Sequence, residues 1–235
     1  MKLEESFVQQ TADNLWPIYE ARVKAIHKKI EVLYARFDKR VHDHIFKTRH
    51  ATCFGLFIAE YVSRLPICTR ESSVDEILLN ARRLCEVLIT VQYFNQKNNF
   101  EKMVEYCDRD RMEYLEGCIS RTVADEKLFV ELKGMPDMNQ STQTELAQLK
   151  QKYINKPAKI PDMKKMAQAV DLEDEYNYFY KFTSKLLHFC PFSFNGDSPF
   201  EAPIHKVVFL MRSVRYMEKL KEELDTVYQK TILTN

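Results

Sequence analysis

The side chains best suited to chemistry fall in YNYFYKFTSKLLHFCPFSF, residues 176–194. Steps of four place Tyr176, Tyr180, Ser184 and His188 in one row along a helix. Two phenols, a hydroxyl and an imidazole thus form a polar ladder on an otherwise aromatic and aliphatic segment. Pro191 limits the helix and leaves His188 in or near its last turn, where the negative end of the dipole favours an imidazolium. An imidazole titrating at about 6.5 both accepts and donates protons. Lys181 and Lys185 project from the neighbouring arc. One helix would then present a general acid/base beside cations that stabilise a phosphorane-like transition state.

A second stretch, Arg82-Arg83-Leu84-Cys85-Glu86, offers complementary charge. Arg82 and Glu86 have the i,i+4 spacing of an ion pair. Two roles stay open for Arg82: a phosphate ligand steadied by Glu86, or a clamp tying its helix to Tyr180, Ser184 or a backbone carbonyl. His188 is likewise a proton-transfer group or a hydrogen-bonded structural residue among Leu187, Phe189 and Phe192. A Ser-His-Asp reading of Ser184 and His188 fails, because both lie on one helix face and no third partner is implied. No Gly-rich phosphate loop, GxSxG elbow, HExxH or paired-cysteine motif occurs. His42 and His44 diverge by ~200° on a helix, so they cannot share a metal. No metal site and no cofactor are expected.

Composition narrows the frame. Hydrophobic residues make up 45% of the 235, ample for a packed core, and only 4 are Gly, which favours long helices over many tight turns. The net charge of +1 excludes a globally basic nucleic-acid binder, so any phosphate site must be local. Six cysteines without a CxxC pair read as small hydrophobes. No apolar run approaches the ~18 residues of a membrane span, and MKLEESF lacks the order of a signal peptide. A cytoplasmic chain that contacts no membrane is expected.

The elements that must position these groups read as helices throughout. Trp16, Tyr19, Val23, Ile26, Ile30, Leu33 and Phe37 alternate steps of three and four, a heptad-like seam with Pro17 in its first turn. That seam either packs on its own domain or pairs with a second copy. A helix from Val41 to Leu65 presents Phe54, Phe57, Ile58, Tyr61, Val62 and Leu65, and Pro66 closes it. Ser73-x-x-Glu76 is a capping box opening a central helix, Val74 to Phe94. Phe100 to Cys118 gives a return helix, a shorter one follows over Ser120 to Leu132, and a weak one spans Thr142 to Tyr153. Lys150, Lys152, Lys156, Lys159, Lys164 and Lys165 straddle Pro157 and Pro161, as a solvated connection or a phosphate-attracting rim. A short helix spans Met163 to Val170, and Asp171 caps the ladder helix. A last helix runs to about Ile232 on Val207, Leu210, Met211, Val214, Met217, Leu220, Leu224, Val227 and Tyr228. The fold class is all-α, a multi-helix bundle with a long N-terminal and a long C-terminal helix. Residues 1–68 form an arm or hairpin and residues 69–235 a core domain, or the two are continuous.

The Arg82-x3-Glu86 pair, followed by KIPDMKKMAQAVDLEDEYNYFYKFTSKLLHFCPFSF, resembles the bacterial domain-of-unknown-function family numbered 5677 over about residues 70–200. Short helix, Tyr-x3-Tyr, Ser-x3-His and Pro-Phe-Ser follow in the family's order, though Phe189 stands after His188 where the family tends to have Pro. The helical layout is similar to the HEPN class, many of whose members are metal-independent ribonucleases in toxin or phage-defence systems. That class carries an Arg separated from a His by four to six intervening residues, usually in a dimeric cleft. Lys181 holds the counterpart position here, and Arg82 is the guanidinium left to substitute. The resemblance implies an RNA- or nucleotide-binding protein in which His188 is acid/base, Arg82 and Lys181 hold phosphate, and Ser184 and Tyr180 orient the site. It also implies a homodimer through the site face, and the heptad-like seam from Trp16 to Phe37 offers the N-terminal helix as the other route. The alternative is a non-catalytic helical module that binds another protein.

Overall fold

The computed structural model describes residues 2–41, 49–97, 99–128, 137–153, 155–181, 183 and 203–232. The fold is all-α with long first and last helices, and no strand occurs among the described residues. In chain order these are α1 (Lys2–Val41), α2 (Arg49–Ser63), α3 (Val74–Lys97), a 3-10 turn (Asn99–Lys102), α4 (Met103–Leu128), α5 (Asp137–Lys152) and α6 (Met163–Ala169). Then come the single turn α7 (Glu173–Glu175), a π-helical turn (Tyr176–Tyr180) and α8 (Pro203–Ile232). Two compact units result, Met1–Phe100 with Asp162–Asn235, and Glu101–Pro161. The boundary drawn from sequence at 68/69 falls inside the first of them. Among the described residues, no helix is long and apolar enough to cross a membrane.

In the first unit α8 packs on α1, α2 and α3. Val207, Leu210, Val214, Met217, Leu220, Leu224 and Val227 are buried at steps of three and four. Phe209, Ser213 and Tyr216 are buried too, because helices cover α8 on more than one side. Met211, expected in the core, is instead exposed at the margin of this face. On α3 the buried set is Ile77, Leu78, Asn80, Ala81, Leu84, Cys85, Leu88, Ile89, Val91, Phe94 and Asn95. The capping box forms as expected: Ser73 N donates to Glu76 Oε2 at 2.8 Å and Glu76 N to Ser73 Oγ at 3.2 Å.

The α1 seam at Trp16, Val23, Ile26, Ile30, Leu33 and Phe37 is buried, with Tyr19 at its edge. It is taken up by α2 and α8 within the chain. The helix starts at Lys2, so Pro17 lies in its interior and not in its first turn. Pro17 is exposed, and on that side water can satisfy the carbonyl that loses its donor. On α2, Phe54, Ile58 and Val62 face inward, whereas Phe57 and Tyr61 point to solvent. Gly55 has a steric role. A Cβ built there would lie 2.3 Å from the Phe37 ring, so its absence is what lets α1 and α2 approach this closely. His42 and His44 lie outside the described residues.

The second unit pairs α4 with α5 around Met112, Leu115 and Leu146, flanked by Ile119 and Leu149. No break occurs at Ser120; residues 118–128 hold neither Gly nor Pro, and α4 runs through to Leu128. Charge joins the two helices as well. Arg111 grips Glu145 with both Nε and Nη2, at 2.8 and 2.9 Å. Lys150 meets Glu116 at 3.0 Å, Lys159 lies 3.6 Å from Glu113, and Lys152 and Tyr153 both donate to Asp108. Lys150, Lys152 and Lys159 are thus solvated side chains that meet carboxylates supplied by α4.

These contacts predict acid sensitivity. Hydrogen bonds from Arg109, Lys150 and Arg111 hold Glu113, Glu116 and Glu145, respectively, below the usual carboxylate range. Burial pushes Asp108 up, but the bonds from Lys152 and Tyr153 outweigh it and the net shift is downward. A depressed folded-state value gives stability that is complete above the unfolded value of about 4 and lost as pH falls through the folded one. The Leu115 and Leu146 methyl resonances are expected to lose dispersion below about pH 4, before those of Leu220 and Leu224. Molar salt should promote the same change, since these side chains are largely solvent-exposed.

Candidate functional site

The ladder segment is delivered by a tight reversal. Asp162 caps α6, its carboxylate accepting from Lys165 N at 2.9 Å. At the other end Asp171 takes φ 58°, Leu172 N donates back to Ala167 O at 2.8 Å, and Asp171 N to Gln168 O at 3.5 Å. That is the double bond pattern of a Schellman end, with Asp in the left-handed position usually held by Gly. Asp171 thus terminates α6 and does not cap the next helix. The residue at that cap is Leu172, whose side chain makes no capping bond.

The first step of the ladder, Tyr176 to Tyr180, is not α-helical. Over Tyr176–Tyr180 the backbone is π-helical, and Lys181 N donates to Tyr176 O five residues back. Tyr176 and Tyr180 stack with centroids 5.0 Å apart and planes at 18°. Arg82 reaches across from α3. Its guanidinium carbon lies 4.8 Å from the Tyr180 centroid, Nη2 donates to Tyr180 Oη at 3.3 Å, and Nε to Glu86 Oε1 at 3.2 Å. Lys181 Nζ lies 5.7 Å from the Tyr176 centroid. The structure therefore brings together Glu86, Arg82, Tyr180, Tyr176 and Lys181, the stacked tyrosine pair having a cation at each end. The Arg82 side chain is 16% exposed and Glu86 33%, and Lys181 is open to solvent. Ser184, Lys185 and His188 lie outside the described residues.

Beneath this run is an anchor that sequence reasoning missed. Glu175 Oε2 accepts from Arg212 Nη1 at 2.6 Å and from Tyr216 Oη at 2.8 Å. Arg212 in turn lies 5.4 Å from the Phe179 centroid and 5.8 Å from that of Tyr178, and Phe179 is buried between Phe209 and Tyr216. Burial, and next the Glu175 charge, pushes the Cys85 thiol up to about 12. Burial also raises the Tyr216 phenol well above its usual value, so thiol and phenol both keep their protons and can donate. Arg212 and Tyr216 are four apart on α8, the one trace of this cluster in the sequence. Their partner lies 37 and 41 residues away. Among the described residues, no group of three His, Cys, Asp or Glu side chains is placed to hold a metal ion.

These features define an all-helical protein in which a π-helical tyrosine turn is fastened to α3 by Arg82 and to α8 by Glu175. Residues 60–198, more than half of the chain, match the model of the Family of unknown function (DUF5677), and the chain belongs to that family. The match spans α3, the α4–α5 unit and the tyrosine turn, leaving α1 and α8 outside it. Neither a curated protein nor a solved structure matches the chain.

Proposed function

We propose that this chain is a HEPN-like protein that binds RNA or a nucleotide at the Tyr176–Lys181 turn and cleaves RNA there by proton transfer alone. The observation that carries the proposal is the Arg82 guanidinium on the Tyr180 ring, which joins two stretches 98 residues apart at one surface. A stacked tyrosine pair with a cation at each end suits a ligand that is part flat ring and part phosphate. π-helical turns are rare and recur at functional positions, which further supports a site here.

Lys181, being exposed, meets the phosphate first. Arg82 commits two of its five N–H donors to Glu86 and Tyr180 and has the others for a phosphate oxygen. Tyr180 and Ser184 orient the ligand, and Lys185 adds charge. His188 takes the proton of the ribose 2′-hydroxyl as its oxygen attacks phosphorus. The bond to the 5′-oxygen breaks, and that oxygen collects a proton, leaving a 2′,3′-cyclic phosphate and a 5′-hydroxyl. A second proposal is favoured by the low exposure of Arg82: the same contacts lock α3 to the turn in a non-catalytic interaction module. Incubation with total RNA in EDTA separates the two. Cleavage reduced about 100-fold or more by His188→Ala supports catalysis. Cleavage equal in both proteins, or absent from both, leaves the lock.

A further inference from the structure

Beside the Glu175 anchor, the first unit carries a second concentration of cations. Between α1 and α8 runs an open groove of about 310 Å³ whose lining includes Tyr19, Arg22, Met211, Arg212, Arg215 and Glu218. That volume lies at the lower end of what small-molecule sites occupy. Three guanidiniums meet one carboxylate there. Arg212 is held from beneath by Glu175, which fixes its guanidinium but also neutralises part of its charge. Arg215, three residues on along the same face, is exposed and has no carboxylate partner among the described residues. Arg22 stands on the opposite bank, its carbon 5.6 Å from the Tyr19 centroid and its Nη2 2.5 Å from Glu218 Oε1.

The remaining lining is flat or apolar. Tyr19 is half-buried, and Val208 and Met211 keep 42% and 38% of their surface exposed on the same side of α8 as Arg215. A guanidinium pairs with a phosphate through two parallel N–H donors, and an aromatic ring beside it accepts a base by stacking. We infer that the α1–α8 groove binds a nucleoside 5′-phosphate, with the phosphate on Arg215 and Arg212 and the base against Tyr19 and Met211. Glu218 is the resident competitor. When the phosphate arrives, Arg22 exchanges its carboxylate for the ligand, so the ion pair holds Arg22 at the groove's edge until a stronger anion takes it.

The ligand class is the one also proposed for the tyrosine turn, but the groove shares none of that turn's residues. The test is calorimetric titration of the whole protein with AMP, with adenosine as control and a short 5′-phosphorylated oligoadenylate as a second probe. AMP is expected to bind and adenosine not to. Arg215→Ala should weaken AMP about tenfold by removing one charge-assisted contact. Glu218→Gln, which frees Arg22, should strengthen it. Oligoadenylate binding without AMP binding, if it shows the same two variant effects, assigns the groove to an RNA 5′ end. Equal affinity for AMP and adenosine, or no change in either variant, overturns the inference. Arg215-dependent AMP binding in a protein that leaves total RNA intact would uphold the groove and sink catalysis at the turn. RNA cleavage with no Arg215-dependent binding would do the reverse.

Discussion

Glu175→Ala is expected to destabilise the first unit by about 3 kcal/mol, because it strands two partners at once. Tyr216 is 1% exposed, and its hydroxyl would lose its acceptor where water cannot replace it. Arg212, 27% exposed, would keep its charge over the Phe179 ring with no carboxylate against it. Partial exposure of Arg212 lets solvent recover some of the loss, which places the figure at the low end for a broken buried pair. Glu175→Gln keeps an acceptor oxygen and removes only the charge, so roughly half the loss is expected. Denaturant titrations of the two variants measure the difference, and equal, negligible losses would mean that the cluster holds nothing.

Gly55→Ala tests the α1–α2 approach, where two effects oppose each other. Helix propensity favours Ala over Gly by about 1 kcal/mol in mid-helix. Against this, the new Cβ would meet Cζ and Cε1 of Phe37 at 2.3 and 2.4 Å. A ring at the end of a free side chain would swing away, but Phe37 has no exposed surface and packs edge-on against Tyr228 at 5.3 Å. Overpacking should win, with a net loss of about 2 kcal/mol and a fall in Tm of roughly 4–8 °C for a unit of this size. Phe37→Leu in the Gly55→Ala background should restore part of that loss, although alone it is destabilising. Failure of the double variant to recover would place the clash elsewhere.

What sequence revealed and what it hid divide by the range of the interaction. The α1 seam, the apolar cylinder of α3 and the inner face of α8 are local periodicities, and burial follows most of their positions, with Leu79 and Met211 exposed instead. Arg82 to Glu86 was legible for the same reason. The spacing from Tyr176 to Tyr180 fits an α- or a π-turn alike, and the backbone bond from Lys181 to Tyr176 that decides between them leaves no mark in residue types. Asp171 reads as a helix cap because Asp favours helix starts, but Asp also serves in left-handed positions, which is where the fold uses it. The partners of Lys150, Lys152 and Lys159 stand 34 to 46 residues upstream on α4, and Glu175 is equally far from Arg212. Charge pairing at that distance follows from the fold and cannot precede it.

Because α8 covers α1, α2 and α3, the order of synthesis matters. A ribosome delivers the first three helices well before residues 203–232, so their inner faces wait uncovered while the intervening chain is made. Long-range closure of that kind is slow, and exposed apolar faces invite aggregation or capture by chaperones in the interval. Nascent chains arrested before residue 203 should therefore be chaperone-bound, and release should coincide with the emergence of α8.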